Sequence, residues 1–69
     1  MTQPFKVFVV FKDQTYTVAT YYAESRDEAF RLAFENFSLW HSMTVVDAYD
    51  EHLCALEAEN CKRNAKFAV

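Results

Sequence analysis

Phe5-Lys6-Val7-Phe8-Val9-Val10-Phe11 and, after a short polar break, Tyr16-Thr17-Val18-Ala19-Thr20-Tyr21-Tyr22-Ala23 are the stretches that decide the fold. Successive side chains of a strand point to opposite sides of a sheet, so a hairpin with one wet face alternates apolar and polar residues. These runs do not. Phe5, Val7, Val9 and Phe11 form one face of the first, while Phe8 and Val10 lie on the other. In so short a chain a single helix covers one face of such a hairpin. The second face needs another copy, a partner or the C-terminal segment.

Length and composition bound the answer. The 69 residues make one domain, 1–69, near the size at which a single core is only marginally stabilising. A hydrophobic content of 52% with 17% aromatics argues against disorder. No apolar run approaches the ~20 residues of a membrane span. Met1-Thr2-Gln3-Pro4 lacks the basic start and apolar stretch of a signal peptide, so a cytosolic location is expected. Cys54 and Cys61 are then expected as reduced thiols. Glycine is absent, which excludes phosphate-cradling loops and dinucleotide folds that rely on positive φ and close backbone approach. The tight turns must use Asp13-Gln14 and the Asn residues.

Outward from the hairpin, the chain reads as strand, turn, strand, helix, strand and a C-terminal helical segment. The first strand is Phe5–Lys12 and the second Tyr16–Ala23, the latter rich in β-branched and aromatic residues. Ser25-Arg26-Asp27-Glu28 is a capping box, in which Ser25 accepts from the Glu28 N–H and the Glu28 side chain reaches back to the Ser25 N–H. The helix should run from Arg26 to about Leu39, with Phe30, Ala33, Phe34, Phe37 and Trp40 as its core stripe, Ala29 bordering it, and Arg31, Glu35 and Asn36 on the wet side. The third strand is Met43–Tyr49. Residues Asp50–Cys61 form a short helix capped by Asp50, and the tail ends in Lys66-Phe67-Ala68-Val69. The fold class is α+β: a small antiparallel sheet (β-β-α-β) with one main helix on one face and a C-terminal helical segment.

The link Ala23-Glu24-Ser25 must deliver the chain to the helix side, which assigns Ala19, Tyr21 and Ala23 to the core. Tyr16, Val18, Thr20 and Tyr22 then lie on the far face beside Phe8 and Val10. Two coverings fit. The C-terminal segment folds back over the patch, or the patch is an intermolecular interface, and its size favours the interface.

Charge is unevenly placed. Residues 35–59 hold Glu35, Asp47, Asp50, Glu51, Glu57 and Glu59 with no Lys or Arg, whereas the flanking segments are balanced or basic. A net charge of −3 with an acidic middle disfavours nucleic acid, whose phosphates need a basic footprint. Such acids suit a basic groove on a partner protein, although most surface carboxylates are merely solvated and Asp50 and Glu51 also suit a helix N-terminus. His41, His52, Cys54 and Cys61 are the metal-type ligands. Cys54 and Cys61 stand two helical turns apart, about 10 Å, too far to share a zinc, so a packing seam accounts for them better. No metal or other cofactor is expected. His41 or His52 could activate Cys54, but no oxyanion site or orienting group stands at a recognisable spacing, so an enzyme is not expected.

Tyr21-Tyr22-Ala23-Glu24-Ser25-Arg26-Asp27-Glu28-Ala29, followed by a helix and then Val45-Val46-Asp47-Ala48-Tyr49-Asp50, resembles the "strand, Ala-x-Ser-x-x-Glu-Ala helix, short strand" pattern of small phage and mobile-element proteins such as the DpnD/PcfM-like group. Some small anti-CRISPR proteins have a similar layout. The resemblance covers about residues 5–50; the aromatic-loaded first strand and the acidic C-terminal segment depart from it. It implies a non-enzymatic binder that blocks a host protein or protein complex. The expected partner-binding residues are Phe8, Tyr16 and Tyr22 as aromatic anchors with Asp47, Asp50 and Glu51 as steering charges. A homodimer is expected if the far face is self-complementary. The alternative from another class is a small dimeric nucleic-acid-binding module that stacks bases on Tyr16, Tyr22 and Phe8.

Overall fold

The computed structural model describes residues 1–65, with side chains through Arg63. The Lys66–Val69 run lies outside the described residues. The order is β1 (Gln3–Phe11), β2 (Tyr16–Ala23), α1 (Arg26–Asn36), β3 (Trp40–Asp47) and α2 (Glu51–Ala65). This is the small antiparallel α+β fold that the sequence predicts. β1 is the centre of a sheet ordered β2-β1-β3, antiparallel to both neighbours.

The β1–β2 turn is closed by local polar chemistry. Asp13 Oδ1 accepts from the Thr15 hydroxyl at 2.7 Å and the Thr15 N–H at 3.1 Å. These bonds favour the ionised carboxylate and lower the Asp13 pKa. Gln14 takes the positive φ of 73° that the turn requires. The other positive φ among the described residues falls on Leu39 (57°) rather than on an Asn. α1 starts at the predicted cap: the Glu28 N–H donates to Ser25 Oγ at 3.2 Å. The Glu28 carboxylate returns one residue further than expected, accepting from the Glu24 N–H at 2.7 Å.

α1 is shorter than its periodicity suggests. Phe37 is already extended, and its N–H closes the helix on the Ala33 carbonyl at 2.9 Å. The Phe37–Leu39 link frees Trp40 to enter β3, opposite Phe11, so Trp40 is a strand residue and not the end of a helical stripe.

Each sheet face has its own core. On one, Phe5, Val7, Val9, Ala23 and Val45 pack with Ala29 and Ala33 of α1. Tyr21 leans on this cluster, as expected for its face, and Ala19 is half-buried. On the other, Phe8, Val10 and Val46 lie under α2, against Cys61, with Cys54, Ala58 and Tyr16 at the margin. Full burial of each large apolar side chain contributes about 1.5–3 kcal/mol. The small inner residues of both helices (Ala29 and Ala33; Cys54, Ala58 and Cys61) let the helix axes approach a sheet whose own side chains are large. The two cysteines thus form the packing seam that their spacing suggests, and desolvation, with a smaller contribution from the Glu57 charge, raises the Cys61 pKa.

Candidate protein-binding surfaces

Of the six residues expected to bind a partner, the fold withdraws one outright. Phe8 is 3% exposed beneath α2, so the C-terminal helix, not a second molecule, covers this part of the far face. Phe8 is therefore core. Tyr16 is half-buried against the same cluster and offers only its margin. Asp47 is half-buried and occupied: its Oδ2 accepts from Gln3 Nε2 at 3.1 Å and its Oδ1 from the Tyr49 N–H at 2.9 Å, which shapes the turn into α2. Asp50 caps α2 as predicted, with Oδ1 accepting from the Leu53 N–H at 3.1 Å. Glu51 is exposed in the first turn.

Tyr22 remains open, at 69% exposure. It pairs with Pro4, whose carbonyl accepts from the Ala48 N–H at 3.1 Å. Tyr22 and the Asp47–Glu51 turn therefore flank Pro4 at one end of the sheet, about 10 Å apart by strand spacing. α2 lies over β1 and β3, and along β2 it leaves Val18 (42%), Thr20 and Tyr22 exposed.

A second surface was not expected. Phe30 and Phe34, read as core from their spacing, are exposed, Phe34 by 53%. With Trp40 they make a mutually packed aromatic ridge: ring centroids are 6.1 Å apart for Phe30–Phe34, 6.3 Å for Phe30–Trp40 and 5.8 Å for Phe34–Trp40, the last two edge-to-face. Leu39, 74% exposed, lies just before Trp40 in the chain. A groove of about 420 Å³ continues between α1 and β3, lined by Arg26, Asp27, Phe30, Met43, Thr44 and Val45.

The reason lies in angular width. At ~100° per residue, the apolar positions from Leu32 through Ala29, Ala33, Phe37 and Phe30 to Phe34 sweep roughly 200° of the helix surface. A sheet covers about half of that. The half with Ala29, Ala33 and Leu32 wins because small residues permit close approach, and Phe30 and Phe34 are left outside. The excess width is the sequence signal that marks them.

Compared with known families, curated proteins and solved structures, the chain returns no match.

Proposed function

We propose that this chain is a non-catalytic binding protein, encoded by a phage or mobile element, that docks on a host protein complex and inhibits it as anti-CRISPR and other anti-defence proteins do. The observation that carries the reading is the Phe30–Phe34–Trp40 ridge: two exposed phenylalanines packed against one another and against a half-buried tryptophan that roots them on the core. Rigid aromatic anchors are what dominate protein–protein affinity once desolvated. A surface cluster of this kind is costly for a small domain to leave without a use. The acids of the Asp47–Glu59 segment supply the steering charge, as in the sequence-based expectation, while the main anchors move from Phe8, buried under α2, to Phe30 and Phe34 of α1 beside Trp40 of β3. The resemblance to small phage and mobile-element proteins supplies the biological setting.

The test is a plaquing assay on hosts that carry defined CRISPR systems and express the chain or its Phe30→Ala/Phe34→Ala variant. The proposal expects restored phage growth with the parent, at least in one system, and loss with the variant, whose fold should persist because Phe30 and Phe34 belong to neither core cluster. No restoration in any system, or equal restoration by the variant, contradicts it. Salt-sensitive binding of single-stranded DNA by the purified chain would favour the stacking module instead.

A further inference from the structure

The two strands at the sheet margins differ in what they offer. The Phe11 N–H bonds to the Thr15 carbonyl at 2.8 Å, so within the β1–β2 register the odd-numbered residues exchange hydrogen bonds. The even-numbered residues of β2 therefore turn their N–H and C=O groups outward. Among the described residues, no side chain bonds to these outward groups at Tyr16, Val18, Thr20 or Tyr22. β2 has a regular register over eight residues and carries no charge, proline or bulge. Such an edge is a template for another strand.

We infer that β2 pairs antiparallel with β2 of a second copy, joining two sheets into one of six strands about a two-fold axis at Ala19. The sequence chooses this occupant and this register. Around Ala19 the strand is close to palindromic: Tyr16 meets Tyr22, Thr17 meets Tyr21, and Val18 meets Thr20. Aromatic–aromatic and β-branched pairs are favoured cross-strand partners, and with no charged residue in the strand no like charges meet across the axis. The outward groups of Tyr16, Val18, Thr20 and Tyr22 all find partners, giving up to about eight main-chain hydrogen bonds where a typical interface has about ten. Exposed Val18 and Tyr22 are covered at the same time. Shifting the axis to Val18 or Thr20 shortens the ladder and breaks the tyrosine pairing. This pairing does not depend on the inhibitory role proposed above.

The test is oligomeric state by light scattering and sedimentation at micromolar concentration, with folding checked by circular dichroism. The parent should be a dimer. In Val18→Lys/Thr20→Lys, lysines face lysines twice across the axis, and dissociation should be roughly tenfold easier or more. In Val18→Lys/Thr20→Glu, each lysine faces a glutamate of the other copy, and the dimer should return. If the double lysine variant fails to fold, Thr20→Pro replaces it, since the Thr20 N–H has no partner among the described residues and its loss should cost only the dimer. A monomeric parent overturns the inference and leaves the edge to an extended segment of a foreign protein. Equal dimerisation by the Lys/Lys and Lys/Glu variants overturns the register, and species larger than dimers overturn the closed two-fold assembly.

Discussion

β2 and β3 are both margins of one sheet, pair with the same central strand and have eight residues each, yet only β3 is guarded. The Ala48 N–H bond to Pro4 sets the phase of β3, which turns the groups of Met43, Val45 and Asp47 outward. One of these is already taken: Arg26 Nη2 donates to the Val45 carbonyl at 3.3 Å. A register shift interrupts the strand where Val10 pairs with Ser42 and Phe11 with Trp40, and Asp47 adds charge. Arginine, a bulge and a carboxylate are devices by which proteins blunt sheet edges. β2 has none of them. The contrast shows how a small sheet can resist stacking without end while keeping one side available for a single, closed pairing.

The largest effect expected concerns the face rather than the edges. If α2 seals the Phe8 side, so that the edge of β2 is its main open feature there, Phe8→Ala should cost about 3–5 kcal/mol. That is comparable with the whole stability of a domain this size, roughly 3–10 kcal/mol. A melting temperature close to the parent's would mean that Phe8 is not core, and would reopen that face as an interface.

Arg26→Ala should cost about 1 kcal/mol from the lost hydrogen bond, seen in chemical denaturation. Its more telling effect is on assembly. With both margins open, dimers should join through β3 and sediment as larger species. A variant that stays dimeric would show that the bulge and Asp47 suffice as guards.

Ser25→Ala removes the cap that fixes the first turn of α1, from which Arg26 reaches β3, and should lower stability by about 1 kcal/mol. An unchanged denaturation midpoint would place the start of the helix elsewhere and loosen the link between cap and guard.

Much of this was legible in the residues. The hairpin, the faces of β1 and β2, the Ser25 and Asp50 caps and the order of elements follow from alternation and capping chemistry, which act over a few residues. Three things did not. The cover over Phe8 is α2, whose inner surface is Cys54, Ala58 and Cys61, a stripe too small in side-chain volume to outweigh the apparent size of the patch. The outward turn of Phe30 and Phe34 reflects competition between two halves of one broad apolar arc, decided by how closely Ala29 and Ala33 let the helix approach. The end of α1 at Asn36 depends on Trp40 joining β3, a contact distant in sequence. Of the expected binding residues, Tyr22, Asp50 and Glu51 stand where a partner can reach them, and Asp50 also holds a helix end. The openness of β2 could not be read at all until the order of strands placed it at the margin.

Amide exchange at four positions compares the two margins of the sheet residue by residue. The N–H groups of Val18, Thr20, Met43 and Val45 all point away from β1, so in a monomer all four should exchange fast. At high protein concentration Val18 and Thr20 should become protected and lose that protection on dilution, while Met43 and Val45 exchange fast throughout. Val18 and Thr20 exchanging as fast as Met43 at every concentration would contradict the pairing of β2 with a second copy.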